Sequence, residues 1–128
     1  MGGRVLLIED ETSIAEAIRF LLGRDGCEVV VHGQGTGAME RLAEVRPDLV
    51  ILDVMLPGRS GFEILADIRA GQATAGLPVI MLTAKGQGAD RAAAQLAGVS
   101  LFMTKPFANA EIRAAVRDLL VGQGVRDA

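Results

Sequence analysis

The sequence predicts an α/β fold: one doubly wound domain in which five parallel strands alternate with five helices. Two observations predict the architecture. Apolar runs of strand length recur at 5–8, 29–31, 49–52, 79–82 and 101–103, and helical apolar spacing fills the stretches between them. Such alternation builds a parallel sheet with right-handed crossovers and helices on both faces. A third observation concerns function. The runs end in Glu9-Asp10, Asp53, Thr83 and Thr104-Lys105. These residues would share the carboxyl edge of the sheet, where open α/β folds place their chemistry.

Each element has its own reason. Val5-Leu6-Leu7-Ile8 is uniformly apolar, as a strand covered on both faces must be. Ser13 with Glu16 three residues on reads as a capping box opening the first helix, with Ile14, Ile18, Leu21 and Leu22 inward and Gly26 as the stop. Val29-Val30-Val31 is β-branched and forms the second strand. A loop over 33–37 leads to a short helix over 38–44, with Met39, Leu42 and Ala43 inward and Pro47 beyond its end. Leu49-Val50-Ile51-Leu52 is the central strand, and Asp53 closes it. Ser60 is a candidate N-cap for a helix whose stripe is Phe62, Leu65 and Ile68. Val79-Ile80-Met81-Leu82 is the fourth strand. The alanine-rich helix over 90–97 has Leu96 as its large apolar anchor and should be the loosest. Leu101-Phe102-Met103 is the fifth strand. Ala108 or Asn109 then opens a last helix with Ile112, Val116, Leu119 and Leu120 inward, and residues 122–128 form a polar tail.

The totals narrow the function. At 128 residues with half of them hydrophobic, the chain suits one folded domain rather than a disordered segment. A net charge of −3 gives no footprint for nucleic acid or an anionic membrane. The single cysteine, Cys27, excludes an internal disulfide and fits a reducing cytoplasm. No apolar run approaches the roughly 20 residues of a membrane span. The opening residues are too weakly apolar for a signal peptide, and Leu6 breaks the myristoylation pattern.

Glu9, Asp10 and Asp53 bring three carboxylates to one rim, where mutual repulsion would raise a pKa. A hard divalent cation relieves this, and magnesium suits an open edge because it keeps several waters. Lys105 adds a point charge for phosphate oxygens and Thr83 a hydroxyl, which leaves Asp53 as a carboxylate nucleophile. Taken singly, each has a plainer reading: a solvated strand-end acid, a turn threonine, an exposed lysine.

Together, the motifs Ile8-Glu9-Asp10-Glu11, Leu52-Asp53-Val54-Met55-Leu56-Pro57-Gly58, Leu82-Thr83-Ala84-Lys85 and Phe102-Met103-Thr104-Lys105-Pro106-Phe107 have a highly specific order and spacing. The sequence resembles the receiver domain of two-component response regulators over residues 4–121. The resemblance implies a flavodoxin-like sheet of order 2-1-3-4-5. It implies that Asp53 accepts a phosphoryl group from a sensor histidine kinase or a histidine phosphotransfer protein. Asp10, Asp53 and the Met55 carbonyl match the direct Mg2+ ligands, and Glu9 matches a position that binds the metal through water. Thr83 matches the switch hydroxyl, Ala84 the small residue beside it, and Lys105 the phosphate-binding lysine, with a cis Lys105-Pro106 bond. Phe102 matches the switch aromatic, expected to rotate inward and bias the helix after residues 86–88. The domain is then a phosphoacceptor rather than a turnover enzyme. It signals through helix 4, strand 5 and helix 5 to an effector or a second copy, without touching nucleic acid itself.

Two departures stand out. Phe102 lacks the hydroxyl of the tyrosine common at that position. Gly98-Val99-Ser100-Leu101 lacks the acidic pair often found in members that dimerise through this face. Two other readings compete. Gly33, Gly35 and Ala38 fit a dinucleotide-binding fingerprint but leave Glu9, Thr83 and Lys105 without roles. An aspartyl phosphohydrolase would need an acid two residues after Asp53, where Met55 stands. His32 reads as a lone exposed histidine.

Overall fold

The computed structural model describes residues 2–84 and 88–124. In chain order the elements are β1 (Arg4–Ile8), α1 (Thr12–Arg24), β2 (Glu28–His32), α2 (Ala38–Val45), β3 (Leu49–Asp53), α3 (Gly61–Ala70), β4 (Val79–Thr83), α4 (Gly88–Leu96), β5 (Leu101–Thr104) and α5 (Asn109–Gly122). The strands form one sheet of order β2-β1-β3-β4-β5, and every neighbouring pair is parallel. This is the doubly wound arrangement expected from the sequence.

Strand periodicity divides the core into two layers. Leu7, Leu49, Ile51, Ile80 and Leu82 pack with Ile18 and Leu22 of α1 and with Ile112, Val116 and Leu120 of α5. Leu6, Ile8, Val50, Leu52 and Met81 face the other way, onto Leu42 of α2, Ile64, Leu65 and Ile68 of α3, and Ala94 of α4. All five residues of β3 are buried, so the one acid of that strand ends in the middle of the molecule's polar rim.

Several local expectations are corrected. Helix α1 starts earlier than its Ser13–Glu16 pattern suggests: Glu11 is the N-cap, extended and without a side-chain cap. The Glu11 N–H is already held by Glu9 Oε2 and its carbonyl takes the Ala15 N–H, so the first turn closes ahead of Ser13. In α2 the buried residues are Ala38, Leu42 and Val45, while Ala43 faces solvent. In α4 the anchor is Ala94, fully buried, whereas Leu96 is 91% exposed. Ala94 joins the core layer that holds Met81 and Phe102. The Ser60 cap of α3 is present as a complete capping box with Glu63. In α5 Ala108 is the N-cap, and its N–H reaches the Glu111 carboxylate. Residues 85–87 and 125–128, which include Lys85, the first part of the expected 86–88 hinge and the end of the expected tail, lie outside the described residues.

The two kinds of leucine should respond differently to truncation. Leu52→Ala, in the fully buried β3, should cost about 2–5 kcal/mol in denaturant unfolding. Leu96→Ala should stay within about 0.5 kcal/mol of the parent chain. Comparable losses at both positions would place Leu96 in the core.

Candidate functional site

Strand order does the assembling. β1 and β3 are neighbours, β4 lies beyond β3 and β5 beyond β4, so four strand ends follow one another along one edge. Glu9 follows β1, Asp53 ends β3, Thr83 ends β4 and Lys105 follows β5. Glu9 and Asp53 are 1% and 5% exposed, so both carboxylates need partners, while Asp10 stays exposed.

Those partners are present. Lys105 Nζ donates to Glu9 Oε1 at 2.7 Å and to Asp53 Oδ2 at 3.0 Å. The second oxygen of each acid is held by the amide two residues on. Glu11 N–H donates to Glu9 Oε2 at 3.1 Å, and Met55 N–H to Asp53 Oδ1 at 3.2 Å. Lys105 is itself anchored, because its own N–H donates to the Thr83 carbonyl at 2.7 Å. The Lys105-Pro106 bond that follows is cis.

Burial, reinforced by the nearby Asp53 carboxylate, raises the Glu9 pKa from 4.5 to about 7, against the pull of Lys105 and the Glu11 amide. Burial alone would push the Lys105 ammonium down. Its hydrogen bonds to Glu9 and Asp53 outweigh that and leave its pKa raised. One carboxylate oxygen from each of Glu9, Asp10 and Asp53 lies within 4.8 Å of the others. Among the described residues three acids meet one ammonium, which leaves negative charge unbalanced. An oxygen-only donor set with one exposed member fits a hard divalent cation that keeps part of its water shell.

Thr83 is buried at the rim and Ala84 beside it is exposed. The Met55 side chain is 75% exposed. Phe102 already packs inward at 6% exposure, with the Arg91 guanidinium 5.0 Å from its ring centroid. Burying this ring therefore requires no rotation. The glycine-rich loop after β2 packs on the segment after β3: Gly35 N–H donates to the Pro57 carbonyl at 2.8 Å. His32 is half-buried rather than exposed, and its Nε2–H donates to the Thr36 carbonyl at 2.8 Å. Neither this packing nor the amides of Glu11 and Met55 leave a side-chain signature from which sequence reasoning could find them.

Comparison with known proteins agrees with this geometry. Residues 5–117 match the profile of the response regulator receiver domain. The chain is 38% identical over 117 residues to the DNA-binding response regulator MtrA of Mycobacterium tuberculosis, covering 91% of this chain and 50% of that protein. It is 36% identical over 120 residues to the phosphate regulon transcriptional regulatory protein PhoB of Escherichia coli, covering 94% and 52%. The chain thus spans about half the length of the curated relatives it matches. The BeF3-activated N-terminal receiver domain of Klebsiella pneumoniae RstA superposes with a TM-score of 0.86 at 30% identity, covering 91% of this chain and 97% of that one. Among the described residues no helix is long and apolar enough to cross a membrane.

The raised Glu9 pKa has a signed consequence. Between about pH 4.5 and 7 Glu9 keeps a proton in the folded, metal-free chain that it loses in the unfolded chain. Stability in a chelator should therefore decline as pH rises through that window, and Glu9→Gln should flatten the decline. Denaturation midpoints across the window check both; a parent curve already flat there would remove Glu9 as its source.

Proposed function

The chain belongs to the receiver-domain family of two-component response regulators, and from that premise we propose that Asp53 accepts a phosphoryl group from the phosphohistidine of a sensor kinase or a histidine phosphotransfer protein. The observation that carries this reading is Lys105 Nζ held between Glu9 Oε1 and Asp53 Oδ2 beside a third carboxylate, Asp10. A buried acid with an adjacent ammonium and room for a cation is the apparatus that phosphoryl transfer needs, since positioning and charge stabilisation dominate that reaction.

In the transfer, an Asp53 oxygen forms the new P–O bond as the P–N bond of the donor breaks. The electron pair leaves with the histidine nitrogen. Met55 N–H orients Asp53 through Oδ1, and Lys105 supplies positive charge to the oxygens of the incoming group. Glu9, Asp10, Asp53 and the Met55 backbone carbonyl would hold Mg2+. When bound, the ion neutralises charge on phosphoryl oxygens that the three acids would otherwise repel. The domain assists its own phosphorylation and dephosphorylation and is not a turnover enzyme.

The product adds roughly −1.5 to −2 charges at the rim if it behaves as other phosphorylated side chains do. The Thr83 hydroxyl then bonds the new oxygens, and Phe102 beneath Arg91 transmits the change to the surface of α4, β5 and α5. That surface speaks to an effector or a second copy, in a cytoplasmic setting. Because the relative MtrA is a DNA-binding response regulator, a DNA-linked effector is the leading output, reached without contact between this domain and DNA.

Asp53→Asn should abolish labelling by a small phosphodonor such as acetyl phosphate, because the amide offers no carboxylate nucleophile. Undiminished labelling would remove Asp53 from its role. Lys105→Ala should keep Mg2+ binding, read by calorimetry, while phosphorylation or its structural response is crippled. Loss of Mg2+ affinity alone would reverse that assignment.

A further inference from the structure

The glycine-rich loop that resembles a dinucleotide fingerprint has a different structural partner. Gly35 lies so close to the segment after β3 that a Cβ there would overlap the Arg59 carbonyl oxygen and come within 2.8 Å of Arg59 N. Gly58 meets the same loop from the other side. Its φ is +87°, and a Cβ would overlap Thr36 Oγ1 and lie 3.1 Å from Thr36 Cβ. The Gly35 N–H to Pro57 carbonyl bond, at 2.8 Å, runs between the two glycine contacts.

This interlock grips residues 57–59 of a segment tied down at both ends. Val54 N–H is held by the Leu82 carbonyl, and Gly61 N–H closes onto the Val54 carbonyl. Between these ties sits Met55, whose N–H fixes Asp53 Oδ1. The loop side is also anchored: His32 Nε2–H holds the Thr36 carbonyl, and the His32 carbonyl accepts Glu9 N–H at 3.1 Å. A chain of direct contacts therefore runs from the strand end bearing Glu9, through His32, Thr36 and Gly35, to the segment that orients Asp53.

We propose that Gly35 and Gly58 are positioning residues: their close approach locks the segment after β3 so that Met55 presents its backbone to the Asp53 carboxylate and to the cation site. The cation part rests on the reading of Asp53 as a metal-assisted phosphoacceptor; the locking of Met55 does not. A Cβ at Gly35 has only backbone to push against, so the segment itself must move. At Gly58 the nearest atom ends a side chain, and the left-handed backbone adds strain. Gly33 is an internal control, because nothing lies within 4 Å of a Cβ built there.

The test uses the 128-residue chain and two readouts. The first is Mg2+ titration by calorimetry on unphosphorylated protein, since the chain has no Trp or Tyr to report optically. The second is amide hydrogen exchange at Met55 in a chelator. Gly35→Ala should weaken Mg2+ by about tenfold, as loss of an outer supporting contact does. It should also speed Met55 exchange, while Gly33→Ala leaves both unchanged. Gly58→Ala should do the same as Gly35→Ala, and serves if the latter fails to fold. In the parent chain, which needs no substitution, the Gly35 and Met55 amides should show the same protection because they open together. Independent exchange of these amides would overturn the proposal, as would folded Gly35→Ala and Gly58→Ala chains with parent values of both readouts. A parent chain that binds no Mg2+ would instead refute the metal reading and leave the exchange measurement to judge the lock.

Discussion

Everything at the rim depends on the Lys105 ammonium standing between Glu9 and Asp53. Two buried carboxylates from different strands cannot both stay ionised in one site without a nearby cation, because their repulsion adds to the cost of desolvation. Lys105 meets that requirement with its side chain 8% exposed, so it is nearly as desolvated as the acids it bridges. The pair of amides from Glu11 and Met55 holds the remaining oxygens, and the carboxylates are thereby fixed before any ligand arrives. This arrangement is strong in position but incomplete in charge, since among the described residues Asp10 joins the cluster without an ammonium of its own. That incompleteness suits the donor set to the divalent cation and the phosphoryl group of the proposed reaction.

The sheet exists to make this meeting possible. Glu9 and Lys105 are 96 residues apart in sequence, and only the order β2-β1-β3-β4-β5 sets their strand ends along one edge. The apolar residues of β1, β3 and β4 lock that register from both faces, because a one-residue slip would turn every side chain to the wrong layer. Core packing is thus the means by which the site acquires its geometry. Behind Phe102 and Arg91, Ala94 is the buried residue among the described residues of α4, and so small a side chain offers little buried area.

Much of this was legible from residue order. Uninterrupted apolar runs ending in a single polar residue announce buried parallel strands, and four such endings predicted the edge on which Glu9, Asp53, Thr83 and Lys105 gather. Ser60 reads as a helix start and is one: its hydroxyl accepts the Glu63 N–H, and the Glu63 carboxylate accepts the Ser60 N–H in return. Ser13 and Glu16 carry the same letters but fail, since Glu9 takes the Glu11 amide and moves the helix start. Leu96 misled for a different reason: in an alanine-rich helix the large residue looks like the anchor, but the face that joins the core carries Ala94. Arg69 left no sequence signal either. It donates to the carbonyls of Leu77 and Gly98, each at 2.7 Å, and backbone acceptors have no residue identity to read. Apart from Leu96, what escapes the sequence here is a contact made to main chain.

The central claim is that strand ends converge to let Asp53 carry a phosphoryl group. It is tested most directly by fluorine NMR of the chain with beryllium fluoride and magnesium, which together mimic an acyl phosphate. The account predicts bound fluorine resonances that require the magnesium and show exchange contacts with the Lys105 ammonium and the Thr83 hydroxyl. Free fluoride signals alone, or bound signals indifferent to magnesium and remote from both residues, would contradict it.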